Sequence, residues 1–247
     1  MQDSKFHRKG FTLLELLIVI AIIAILSIAL VFMLNPAETL RKARDAQRIS
    51  DLKTVKTALG VMLTATTTPS LDNTFGSTAA AVCLSKGDGT GSGALGAKVA
   101  YSAYPAPTAG VTATPGSDAV TSATFAAAGY TASSAANLGL VNGNGWIHVN
   151  LKALIGGTPI SSFPTDPVNS VTATVVATDL VYRYACQNGA SVASGKPAFV
   201  FEIDTVLEST AYGAGGTDDK AAKDGGDNSS MYEAGNSLNL LPTSGAF

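Results

Sequence analysis

Between residues 11 and 34 the chain runs for 24 positions with a single charge, Glu15. As a helix this stretch is about 36 Å long, enough to cross about 30 Å of hydrocarbon. The core helix of a soluble domain shows a polar face, whereas residues 16–34 offer only Ser27. A secretory signal carries an apolar stretch of about 7–15 residues closed by a small-residue cleavage site. Here the stretch is longer, and Asn35-Pro36 and a charged segment follow it. A membrane-inserted helix is therefore expected. Glu15 is the anomaly, because a carboxylate at depth costs at least ~2.5 kcal/mol and no basic residue within the span can pair with it.

Composition narrows the function classes. Of the 247 residues 46% are hydrophobic and only 14% charged, which fits neither a disordered acidic chain nor a basic nucleic-acid coat. The net charge of −2 hides a segregation: residues 1–56 sum to +4 and residues 57–247 to −6. With two histidines, His7 and His148, and two cysteines, Cys83 and Cys186, a Cys/His zinc site has too few ligands and a catalytic triad little material.

After Pro36, residues 37–63 again read as helix. Leu40, Ala43, Ala46, Ile49, Leu52, Val55, Leu59 and Met62 recur every three or four positions, a narrow stripe suited to packing on a small sheet. Opposite charges three or four apart (Glu38–Lys42, Arg41–Asp45, Asp45–Arg48) are expected on the solvated face. Pro36 lacks an N–H and clashes with the preceding turn, so a kink is expected there. From residue 64 to about 144 the chain turns to Ala, Thr, Ser and Gly with scattered large apolar residues, which reads as long surface loops with short strands. Beyond it, residues 145–151, 181–186 and 198–203 carry strand signals. In the first, alternation puts Trp146, His148 and Asn150 on one face and Ile147, Val149 and Leu151 on the other.

The N-terminus also carries a specific pattern. Lys9-Gly10-Phe11-Thr12-Leu13-Leu14-Glu15 and the apolar residues through Leu26 resemble the class III signal of type IV prepilins and type II secretion pseudopilins. The resemblance implies cleavage after Gly10 by a membrane prepilin peptidase, N-methylation of Phe11, and assembly of mature subunits into a helical homopolymer. It also gives Glu15 a partner. Cleavage makes an ammonium at Phe11, and in such filaments Glu15 of an incoming subunit pairs with Phe11 of a neighbour, which sets the register. The alternative is an intrachain Glu15–Phe11 pair at the helix N-terminus, favoured by the macrodipole; one can precede assembly and the other follow it.

A looser resemblance covers residues 145–241. The order Trp146, Asp166-Pro167, Tyr182-x-Tyr184, Phe201-Glu202-Ile203, Leu207-Glu208-Ser209, Asp224-Gly225-Gly226 and Tyr232-Glu233 resembles the head of G-type major pseudopilins. It implies an α+β pilin fold, a long helix lying on a small antiparallel sheet. The segments expected are a cleaved leader (1–10), a transmembrane half-helix (11–35), a soluble half-helix (36–66), a loop region (67–144) and a head (145–247). A bare positive-inside count opposes this orientation, since Arg41, Lys42, Arg44, Arg48 and Lys53 follow the span. The resemblance requires a cytoplasmic leader and an extracytoplasmic head, in the inner membrane and then in a filament.

In that compartment Cys83 and Cys186 favour a disulfide; free thiols and a Cys–His pair with His148 are the alternatives. Asp218, Asp219, Asp224 and Asp227 sit among glycines. They read either as a calcium loop, as major pseudopilins hold, or as four solvated acids. Gly91-Ser92-Gly93-Ala94-Leu95-Gly96 matches a dinucleotide fingerprint by letter, with Asp118 near the ribose distance, but the prolines that follow forbid the helix it needs.

The functional expectation is a non-enzymatic structural subunit of a type IV pilus or secretion pseudopilus. Its partners are itself, the peptidase, the bilayer, an inner-membrane platform protein and a separate assembly ATPase, since this chain has no phosphate-binding loop. The alternative is a minor pilin with an adhesive or DNA-contacting tip. Nucleic acid is not expected, because the chain beyond residue 56 is net acidic with no basic stripe.

Overall fold

The apolar run forms helix α1, Leu13–Leu34, and none of its residues is buried. A helix apolar around its whole circumference is suited to lipid, where every backbone group is satisfied within the helix. Its one mid-span hydroxyl is also satisfied internally: Ser27 Oγ donates to the Ile23 carbonyl at 2.7 Å. The computed structural model describes residues 10–72, 83, 99–105, 130–171, 176, 178–189 and 198–243. Residues 1–9 of the leader, the Gly91–Gly96 motif and Asp118 lie outside them.

Helix α2 spans Pro36–Ala65. The interruption expected at Pro36 falls one residue earlier, at Asn35, whose backbone is left-handed with φ 40° and ψ 71°. The residue before a proline is pushed out of the α region, while proline itself is well suited to the first position of a new helix. Asn35 thus closes α1 and opens α2, its carbonyl accepting the amides of Glu38 and Thr39 at 3.1 and 3.2 Å.

The chain divides into two units, Met1–Arg41 and Lys42–Phe247. In the second, α2 packs on a four-stranded antiparallel sheet of β1 (Ala100–Tyr101), β2 (Arg183–Gln187), β3 (Val200–Thr205) and β4 (Tyr232–Gly235), in the order β1-β2-β3-β4. The architecture is α+β, as expected. Strand alternation makes two cores. Tyr184, Cys186, Phe201 and Ile203 join Leu52, Val55, Leu59 and Met62 of α2 in one. Tyr101, Ala185 and Val200 face the other way and are covered by Met231, Leu240 and Leu241.

Two expectations need correction. Of the α2 stripe, Leu52, Val55, Leu59 and Met62 are buried, but Ala43 and Ala46 are exposed and Leu40 is 61% exposed. The buried face instead begins with Asp45 and Arg48, both expected in solvent and both 0% exposed. Ion pairs replace apolar contacts at that end of the helix. Residues 145–151 are not a two-faced strand either: Trp146 is as buried as Ile147, Val149 and Leu151. Their amides bond to loop carbonyls, Trp146 to Leu138 at 3.0 Å and Leu151 to Val141 at 2.8 Å, so the segment is a core-filling connection. The segment ends in a single 3₁₀ turn, Leu151–Ala153. Within 67–144, the described residues Leu71, Cys83, Val99, Ala100, Tyr101 and Val141 are buried.

Candidate functional site

The first unit presents Gly10, Phe11 and Glu15 together at the start of α1. Phe11 is 79% exposed, and a Cβ placed on Gly10 would meet nothing within 4 Å. The fold therefore makes no demand for glycine at position 10. Glu15 is held by Thr12 in a reciprocal cap: Thr12 N and Oγ1 donate to Glu15 Oε2 at 3.0 and 3.1 Å, and Glu15 N donates to Thr12 Oγ1 at 3.2 Å. The two side chains thus each accept one amide that would be left without an acceptor at a helix start, and the carboxylate lies at the positive end of the helix dipole. Thr12 went unread in the sequence, although Thr-x-x-Glu ahead of an apolar run is the capping-box pattern. Glu15 is anchored without a cation.

In the second unit, α2 is fastened to two distant loops by a buried ion network. Arg48 donates from Nε and Nη2 to Asp166 at 2.6 and 3.0 Å, from Nη1 to Asp45 at 2.9 Å, and pairs with Glu208 at 2.6 Å. Arg44 forks onto Glu208 at 2.8 and 2.7 Å. Asp45 in turn accepts the amides of Glu208 and Ser209 at 2.9 and 2.8 Å. Asp166 accepts those of Val168 and Asn169 at 2.8 and 3.1 Å. One turn on, the Tyr182 hydroxyl donates to Asp51 at 2.8 Å.

The charges respond accordingly. Burial opposes the Arg48 charge, but Asp166 and Glu208 outweigh it and its pKa rises. The Arg44 hydrogen bonds, helped by Arg48 against the effect of burial, pull Glu208 down to about 2. Burial pushes Asp51 up, with the Tyr182 hydrogen bond working against it. None of these residues was a site candidate in the sequence beyond the local Asp45–Arg48 pair.

Cys83 and Cys186 are bonded to each other, with Cα atoms 4.5 Å apart. His148 stacks on Tyr130 with ring centroids 5.3 Å apart, and burial lowers its pKa despite the opposing effect of Asp72. The four acids of the glycine-rich loop are dispersed. Asp218 pairs with Lys220 and Lys223, at 2.6 and 3.1 Å. Asp219 accepts the amides of Gly215 and Ala222 at 2.6 and 3.0 Å. Asp224 accepts those of Gly226 and Glu233, at 2.8 and 2.7 Å. Asp227 lies beside Asn239. Among the described residues no three Asp, Glu, His or Cys side chains gather as a metal site.

No curated protein and no solved structure matches the chain. A family model does match its N-terminus: the prokaryotic N-terminal methylation motif, over residues 5–31. That segment contains Gly10, Phe11, Thr12 and Glu15, ends inside α1, and marks the chain as carrying the signal of a type IV pilin-like precursor.

Proposed function

We propose that the chain is the precursor of a structural filament subunit, trimmed after Gly10, N-methylated at Phe11 and polymerised into a type IV pilus or type II secretion pseudopilus. The observation that carries this reading is the methylation motif set at the head of an apolar helix none of whose residues is buried. Such a helix is long and apolar enough to cross a membrane. It finds further burial only against other apolar helices, and a bundle of copies supplies them.

Glu15 then has two successive partners. In the precursor the Thr12 cap offsets part of its cost. After trimming, the new Phe11 ammonium of a neighbouring copy offers a charge-assisted partner, and the contact admits a subunit only at one axial offset. The head, resembling G-type pseudopilin heads, stands outside the membrane, with the platform protein and ATPase supplying the work of extraction.

Two measurements test this. Mass spectrometry of purified filaments should find chains that begin at methylated Phe11; fibres retaining Met1 or Gln2 would overturn the reading. Glu15→Val should insert and be trimmed normally yet leave no filaments in the sheared fraction. Loss of the cap costs about 0.5–2 kcal/mol, less than the ~2.5 kcal/mol or more regained by removing a carboxylate from lipid, so an insertion defect is not expected.

A further inference from the structure

The sheet face turned away from α2 carries three buried carboxyls and one guanidinium. Glu202 and Asp204 on β3, Glu233 on β4 and Arg183 on β2 are each 3% exposed or less. Arg183 sits beside Asp204, Nη1 to Oδ1 at 3.5 Å, and its Nη2 donates to the carbonyls of Val176 and Asp179 at 3.3 and 3.2 Å. Tyr101 on β1 faces the same Arg183 and Asp204 charges, and Asp179 stands behind them. The loop after β3 contributes Asp224, whose Oδ2 accepts the Glu233 amide at 2.7 Å, and Asp227, beside Asn239. Acids outnumber bases on this face.

Glu202 and Glu233 are the pair that matters. Glu233 lies opposite Asp204 and Glu202 opposite Gly235, which makes the two glutamates diagonal neighbours on one face of the β3–β4 pair, and Oε1 of each receives no donor among the described residues. Two carboxylates in that position repel, whereas a carboxyl and a carboxylate attract through one proton. Burial raises both pKa values and the Asp204 charge adds to it; Glu202 raises Glu233 further, whereas Glu233 and the Leu240 and Leu241 amides work against the rise at Glu202. The second oxygens hold the end of the chain. Glu202 Oε2 accepts the amides of Leu240 and Leu241 at 2.7 and 2.8 Å. Glu233 Oε2 accepts that of Asn228 at 3.1 Å, and the Asn228 side chain donates to the Pro242 carbonyl at 3.1 Å. Leu240 and Leu241, both 0% exposed, close the second core.

We propose that Glu202 and Glu233 share a single proton that fastens residues 238–243 over the sheet, making the C-terminal strap a latch that loosens as pH rises. The sign follows from linkage. The closed form binds a proton that the open, solvated form releases at the ordinary carboxyl value. Opening therefore becomes more favourable with rising pH, by at most about tenfold per unit for one proton. Opening bares Val200, Met231 and the two leucines, so the loosened head is also stickier. None of this depends on the filament reading.

Hydrogen exchange of the full chain in detergent micelles tests the latch, read at pH 6 to 9 after correction for the intrinsic exchange rate. Protection of residues 238–243 should fall by more than about tenfold across that range, while residues 52–62 of α2 stay protected. Glu233→Gln carries an N–H at every pH and should reduce the fall to less than about threefold. Glu202→Gln places the same donor on the other side and is read instead if the first variant leaves α2 unprotected at pH 6. A flat wild-type profile, or an equal fall in the folded glutamine variant, overturns the proposal. Carboxyl ¹³C titration of the wild-type chain decides independently of any variant: one of the two groups must remain protonated at pH 7, and finding both ionised overturns it.

Discussion

Arg48 and Asp166, 118 residues apart, meet through two hydrogen bonds of 2.6 and 3.0 Å with neither side chain exposed at all. The fork binds helix α2 to a loop of the head, and Glu208 and Arg44 extend it to a second loop. Removing the guanidinium leaves Asp45, Asp166 and Glu208 crowded without their shared cation. Breaking a buried pair from one side typically costs about 3–5 kcal/mol. Arg48→Met should therefore lower the unfolding midpoint of the full chain in detergent by roughly 10 °C. Arg48→Lys, which keeps the charge but loses the fork, should recover only part of it. A midpoint within a degree of wild type for Arg48→Met would mean the network is not holding the head to the helix.

The same network sets an acid limit. Glu208 falls from an ordinary value of 4.5 to about 2, first through Arg44 and then Arg48. A carboxyl with a depressed folded value contributes its stabilisation fully above 4.5, and that contribution is lost as pH falls from there toward 2. Glu208→Gln should be less stable than wild type at pH 7, and the gap should close progressively between pH 5 and pH 2. Denaturant midpoints of both proteins across that range check it, and a gap that widens on acidification would contradict the assignment.

What could be read in advance follows from how local each signal is. The α1 helix was legible because its cause is contiguous: 22 residues, Leu13–Leu34, with only Glu15 in the first turn to oppose lipid. Strands β2 and β3 were legible from their aromatic and β-branched residues. Arg48 was not. On a helix an Asp45–Arg48 pair looks the same whether it faces water or a buried Asp166, and the partner that decides lies in another part of the chain. Trp146 was misplaced for a related reason. Alternation presumes one solvated face, and here loops close over both. The Thr12 role, by contrast, is written locally as Thr-x-x-Glu ahead of an apolar run.

The Cys83–Cys186 bond pins position 83 to β2 across 103 residues. In the chain-entropy account a loop of about 100 residues makes the cross-link worth about 4.7 kcal/mol. Reduction, or the double change Cys83→Ser with Cys186→Ser, should lower the unfolding midpoint by roughly 10 °C or more. A maleimide reagent applied to the unfolded, unreduced chain should label neither cysteine. Labelling without reductant would show that the pair is open in the purified protein.

On the proposed reading, position 10 separates folding from processing. A Cβ there has open space on every side, so Gly10→Val strains nothing in the described structure. Helix α1 begins beyond it, with its cap at Thr12, and membrane insertion rests on residues after the substitution. The variant should therefore accumulate in the membrane at wild-type levels as the full-length precursor, migrating above the trimmed form on a gel. Its filament yield should drop to background, because an untrimmed chain carries no ammonium at Phe11 for Glu15 to meet. Normal trimming of Gly10→Val would move the cleavage site elsewhere, and filaments built from untrimmed chains would remove the ion pair from the assembly mechanism.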